Sequence, residues 1–197
     1  RRPPEYERAE GTAPAGQDYE KFEAMDRLLR GSTLQAKYLS DLSVGLDVLC
    51  ERDGVDADRV GVIGHSLGGQ EALWLAAHDD RVAAAVSSCG ASRYEEIQRD
   101  RITHNFASYV PGLLNRGDVE DLLADVAPRP LMVTNGDEDT IFPLDGVERL
   151  ADEVNAAYAD AGHPQRFESV VFEGGHGFPP AVRERAYDWL DRWLVGE

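Results

Sequence analysis

The run Arg59-Val60-Gly61-Val62-Ile63-Gly64 passes without a break through His65-Ser66-Leu67-Gly68 into a helical stretch that extends to His78. A short apolar run of buried-strand type followed at once by a helix leaves room only for a sharp turn between them. That turn fits the pattern G-x-S-x-G, in which the serine takes a strained conformation with its hydroxyl projecting. Positions two before and two after the serine should carry no bulk, and Gly64, Gly68 and the following Gly69 meet that need. The turn also sets the Leu67 N–H at a helix N-terminus, where it can donate to a developing oxyanion. Ser66 is the candidate nucleophile and Leu67 the candidate backbone donor.

The alternation continues downstream. Val82 to Ser87, Pro130 to Asn135 and Phe167 to Phe172 read as strands, and Val119 to Val126, Val147 to Ala161 and Ala181 to Val195 as helices. Strands that alternate with helices predict an α/β fold with a mostly parallel sheet and helices on both faces. Ahead of the first strand lie two amphipathic helices. One carries Phe22, Met25, Leu28 and Leu29, and the other carries Leu34, Tyr38, Leu42, Leu46 and Leu49 behind a Ser32-Thr33 cap. Residues 1–16 have the Pro, Gly and charge content of a surface segment, and 17–197 read as one catalytic domain. Within it, 91–117 is weakly periodic and holds Pro111-Gly112, so it reads as an excursion over the strand ends that shapes access.

A serine hydroxyl is a weak nucleophile, so a base must lie within hydrogen-bond reach and an acid must orient that base. His176, in Gly174-Gly175-His176-Gly177-Phe178 after the last strand, is the base candidate. The acid should lie on the loop after the third strand, in Gly136-Asp137-Glu138-Asp139-Thr140-Ile141-Phe142-Pro143. Asp139 is the choice, with Asp137, nearer the strand, and Asp145, beyond Pro143, as the alternatives. The chain order Ser, Asp, His is that of α/β hydrolases. His65 inside the elbow reads as a packing or supporting residue, and His104-Asn105 reads as a pocket lining or a loop contact. His78 and His163 read as surface residues at helix ends. No His-Glu-x-x-His spacing occurs and the acidic loop lacks the glycine of an EF-hand, so neither a metal nor a cofactor is expected. Cys50 and Cys89 fit no metal spacing and read as buried free thiols without a functional part.

With 197 residues and 42% hydrophobic content the chain can bury the core of one domain. Its net charge of -17 repels phosphate backbones and anionic membranes, which argues against nucleic-acid and membrane partners. Only Lys21 and Lys37 are lysines, a balance that resembles proteins of salt-loving microbes and equally suits an ordinary acidic surface. No run approaches the roughly 18 to 20 apolar residues of a membrane span, and Arg1-Arg2-Pro3-Pro4 lacks the apolar stretch of a signal peptide. The compartment is left open.

From about Leu34 onward the chain resembles the dienelactone-hydrolase and acetyl-xylan-esterase-like branch of the α/β hydrolases. The elbow, Ala127-Pro128-Arg129-Pro130-Leu131 and the spacing Gly136-x-x-Asp139-x-x-x-Pro143 carry the resemblance. It implies hydrolysis of a small-molecule carboxylic ester through an acyl-enzyme on Ser66, with Asp139, His176 and the Leu67 N–H in support. Dienelactone hydrolases proper use a cysteine nucleophile, where this chain has Ser66. Two other readings stay open: a peptidase like the prolyl-oligopeptidase relatives, and a non-catalytic module of the same fold. The implied fold also has strands before the elbow, with a loop among them giving a second oxyanion N–H, and no such segment precedes Arg59. The chain is therefore expected to be the truncated remainder of a longer protein whose upstream part supplies them.

Overall fold

A computed structural model describes residues 16–196. The surface segment read at 1–16 thus lies outside the described residues, except for Gly16. Four strands, β1 (Val60–His65), β2 (Val82–Ser88), β3 (Leu131–Gly136) and β4 (Phe167–Phe172), form one sheet in the order β1-β2-β3-β4, every pair parallel. Each neighbouring pair is joined through helix, as parallel strands require. These are α3 (Leu67–His78), then α4 (Tyr94–Arg99) and α5 (Val119–Ala124), then α6 (Leu144–Asp160). The helices α1 (Gln17–Leu29) and α2 (Leu34–Cys50) precede the sheet, and α7 (Pro180–Leu194) closes it.

The strand period of two divides the core. Ala85, Leu131 and Val133 point into the larger cluster with Leu73, Leu123, Leu150, Val154 and Tyr158, which come from α3, α5 and α6. Val86 and Met132 point the other way, onto Ala186 and Trp189 of α7. Helices therefore cover both faces, as expected of the alternation. Gly61 marks how closely α7 approaches, since a Cβ there would meet Leu194 Cδ1 at 2.7 Å.

Three local features refine the sequence reading. The predicted start of α6 at Val147 is one turn late: Pro143, which fixes φ and needs no N–H partner, stands at its N-cap. The excursion holds a short helix, α4, and two 3-10 turns at Phe106–Ser108 and Leu113–Asn115. Asp118 organises it, accepting from Tyr94 N at 2.8 Å and Glu95 N at 3.0 Å while capping α5. Finally, β1, whose apolar run suits a strand with neighbours on both sides, pairs among the described residues only with β2 and leaves Ile63 and His65 exposed, in keeping with the expected truncation. Apolarity along a strand reports what it can bury, and the neighbours decide how much is covered.

Candidate active site

Ser66 lies between β1 and α3 with φ 57 and ψ -122, a left-handed conformation that costs a residue with a Cβ on the order of 1–3 kcal/mol. Two backbone bonds hold it there. Ser66 N donates to Ser88 O of β2 at 2.8 Å, and Gln70 N donates to Ser66 O at 3.0 Å. The glycine requirement is sharper than the motif suggests. A Cβ on Gly64 would overlap the Gly68 carbonyl, and one on Gly69 would meet Ser87 Oγ at 2.8 Å. A Cβ on Gly68 would meet nothing within 4 Å, so the steric need sits at Gly64 and Gly69, and Gly68 serves through its backbone.

Asp139 and His176 arrive on the loops after β3 and β4. These two loops are bonded to each other: Asp137 N donates to Phe172 O at 3.0 Å, Glu138 N to Gly174 O at 2.9 Å, and Gly174 N to Asp137 Oδ1 at 2.8 Å. Asp137 thus secures the His176 loop, while Asp145 pairs with Arg99 on the surface. Of the three carboxylates weighed, Asp139 alone reaches the imidazole, with Oδ2 2.8 Å from His176 Nδ1. His176 Nε2 stands 2.8 Å from Ser66 Oγ. The Asp139 carboxylate is buried, and its Oδ1 accepts from Ile141 N at 3.0 Å. Chemically, the hydroxyl proton has an acceptor in His176, and the resulting imidazolium has a buried anion behind it. The Leu67 N–H opens α3, where the first turn of a helix offers no intrahelical acceptor, and can face an oxyanion. The Leu67 side chain anchors this end of α3 against Ala24, Leu34 and Ala107.

Residues that the sequence left without a part surround this line. Cys89, the residue after β2, is fully buried at φ 45, and its thiol donates to Gly177 O at 3.3 Å. Its Sγ, an Asp139 oxygen and a His176 nitrogen lie within 4.8 Å of one another, and burial pushes the thiol pKa up. Cys89 is thus a buried free thiol, as read from spacing, and packs against the Asp139–His176 pair. Cys50 is free, as read, but only partly buried. His65 supports as expected: Nδ1 meets Ser88 Oγ at 3.1 Å, and the ring centre is 5.0 Å from that of His176. Burial, and then His176, push the His65 pKa down. His104, buried in the excursion, contacts the acid loop with Nε2 2.7 Å from Ile141 O, whereas Asn105 reaches Gln70 on α3. His78 bonds Trp74 O at the end of α3, and His163 follows α6. Beside Leu67 and Gly68, Tyr38, Leu42, Val62, Ile63 and Glu71 line an open groove of about 470 Å³.

A parallel sheet wrapped by helices, with a strained serine between a strand and a helix and an Asp and a His on later strand-end loops, defines an α/β hydrolase fold. The model of the prolyl oligopeptidase family matches residues 29–197, and the chain belongs to that family. Putative hydrolase YtaP of Bacillus subtilis (strain 168) is 32% identical over 173 residues, covering 86% of this chain and 57% of that protein. Putative esterase YitV of the same organism is 25% identical over 158 residues, covering 73% of this chain and 61% of that one. A promiscuous CE15 esterase from the marine bacterial metagenome superposes with a TM-score of 0.68 at 20% identity, over 92% of this chain and 54% of its own. That likeness speaks for the fold. The chain spans about three fifths of the length of these two relatives. Among the described residues, no helix is long and apolar enough to cross a membrane.

Proposed function

We propose that this chain is the catalytic domain, residues 17–197, of a serine hydrolase that cleaves carboxylic esters through an acyl-enzyme. The continuous hydrogen-bonded line from Ser66 Oγ through His176 to the Asp139 carboxylate carries the reading. Ser66 attacks the ester carbonyl as His176 takes its proton. The tetrahedral oxyanion forms against the Leu67 N–H, and His176 returns the proton to the departing alkoxide. Water, activated by the same imidazole, then releases the acid and frees Ser66. Small ester substrates are favoured by the esterase name of the relative YitV.

A second reading, hydrolysis of peptide bonds after proline, is favoured by the family to which the chain belongs. The deciding experiment compares p-nitrophenyl acetate, butyrate and longer esters with an aminoacyl-prolyl amide, using wild type and Ser66→Ala. Ester turnover that exceeds amide turnover and disappears in Ser66→Ala supports the esterase. Faster turnover of the amide than of every ester turns the assignment to a peptidase. Activity toward neither, with no labelling of Ser66 by a fluorophosphonate, leaves a non-catalytic module.

A further inference from the structure

His104 stands outside the Ser66–His176–Asp139 line, on the excursion between β2 and β3, 37 residues ahead of Ile141. It is 8% exposed, and its Nε2 is 2.7 Å from the Ile141 carbonyl. A carbonyl can only accept, so Nε2 carries the proton and donates, which fixes the tautomer. Burial pushes the His104 pKa below the ordinary imidazole value, so the ring is neutral and Nδ1 carries no proton. The same Ile141 donates its N–H to Asp139 Oδ1 at 3.0 Å, and Asp139 Oδ2 holds His176. His104 thus grips one end of a residue whose other end grips the acid. A second contact runs in parallel. The His104 ring meets Phe142 edge-on at 4.6 Å between centres, and Phe142 lies nearly parallel to His176 at 5.8 Å.

We infer that His104 is a positioning residue for the acid loop, setting the Asp139 carboxylate and, through Phe142, the plane of the His176 ring. The inference rests on the triad reading. The start of the acid loop, at Asp137 and Glu138, is bonded to the β4 loop, and its end is tied to the excursion by Ser92 Oγ, which donates to Pro143 O at 3.2 Å. Between these two anchors Ile141 N bonds back to Asp139, and His104 holds the Ile141 carbonyl from the excursion side. His104 ties the loop to the excursion, which is in turn bonded to the nucleophile's helix: Ser108 Oγ donates to Gln70 Oε1 at 3.3 Å, and Gln70 N bonds Ser66 O. Nucleophile and acid are thereby held in one frame by the excursion. A displacement of about 1 Å in such an arrangement costs up to about a hundredfold in rate.

The test measures kcat and KM for p-nitrophenyl acetate in the full chain. It compares wild type, Asp139→Asn, His104→Gln, His104→Met and His104→Phe, and each His104 change combined with Asp139→Asn. A glutamine amide can reach the Ile141 carbonyl, whereas methionine and phenylalanine fill the space without a donor. The low-field proton resonance of the bond between His176 Nδ1 and Asp139 is followed alongside. His104→Met and His104→Phe should lower kcat about ten- to a hundredfold at nearly constant KM and broaden or shift that resonance. His104→Gln should restore most of kcat and the resonance. In the Asp139→Asn background, the His104 changes should cost clearly less than in wild type, because the share that acts through the carboxylate is lost and only that through Phe142 remains. Unchanged kcat and resonance in both donor-free variants, or effects that simply add to that of Asp139→Asn, overturn the inference while leaving the triad intact. A harmless Asp139→Asn overturns the triad reading itself. Should one donor-free variant fail to fold by circular dichroism, the other carries the comparison. If both fail while His104→Gln folds with lowered kcat and a lost resonance, the N–H alone is insufficient and the inference is likewise overturned.

Discussion

Ser66 and His176 are 110 residues apart in the chain, yet Oγ and Nε2 stand 2.8 Å from each other. Nothing local produces that distance. It follows from the parallel registers that align β1 with β2 at Gly64 and Ser87, and β3 with β4 at Gly136 and Phe172. Those registers deliver the serine turn, the acid loop and the histidine loop to the same, C-terminal, end of the parallel strands.

Removal of either supporting residue should be costly because both act in the transition state. His176→Ala and Asp139→Asn are each expected to lower kcat by about three to four orders of magnitude with the fold retained. Asp137→Asn should be mild, since an amide oxygen can still accept from Gly174 N. Steady-state kinetics with circular dichroism checks this. A larger loss in Asp137→Asn than in Asp139→Asn would reverse the acid assignment.

Gly136 closes β3 against the histidine loop, where a Cβ would overlap the Gly174 and Gly175 carbonyls. Gly136→Ala should push His176 away from Asp139 and lower kcat about a hundredfold while helix content is unchanged. Kinetics beside far-ultraviolet circular dichroism tests this, and wild-type kcat would show that the loop yields without cost.

Glu71, on α3 and 8% exposed, has a pKa pushed up to about 7 by burial. Gln35 Nε2 donates to its Oε2 at 2.8 Å, and its other oxygen has no hydrogen-bond partner among the described residues. The folded state therefore binds this proton more tightly than the unfolded chain does. Its contribution is fully present below the unfolded value of 4.5 and is lost as pH rises toward 7, on the order of 3 kcal/mol in all. Glu71→Gln should flatten the fall in stability between those two pH values. Urea unfolding across that range measures it, and identical slopes for variant and wild type would count against the buried, protonated carboxyl.

With a net charge of -17, the folded chain repels itself, and the cations it has are largely arginines engaged in local pairs such as Arg81 with Asp79 and Asp47. Salt screens the long-range repulsion across the surface, so the melting temperature should rise between dilute buffer and about 2 M KCl. Calorimetry decides it: an unchanged or lower melting temperature would mean that the ion pairs outweigh the repulsion.

The sequence by itself determined the elements and the chemical parts. The apolar runs at 59–64, 82–87, 130–135 and 167–172 announce strands because burial demands them. Ser66 announces itself because glycine is needed at Gly64, where backbone passes close to backbone, and His176 because the glycines around it mark a loop after the last strand. Gly68, which the motif also asks for, has an open side that only the tertiary structure reveals. What the tertiary structure decided is which of several like residues meet. Asp137, Asp139 and Asp145 are equivalent in composition, and only the pairing of the β3 and β4 loops turns Asp139 toward His176, binds Asp137 to Gly174 and leaves Asp145 to Arg99. Cys89 and His104 carried no motif, because their partners are backbone carbonyls at Gly177 and Ile141, and a carbonyl leaves no mark on sequence. Strand and helix follow from the periodicity of neighbours along the chain, whereas a catalytic distance depends on the register between strands far apart in it.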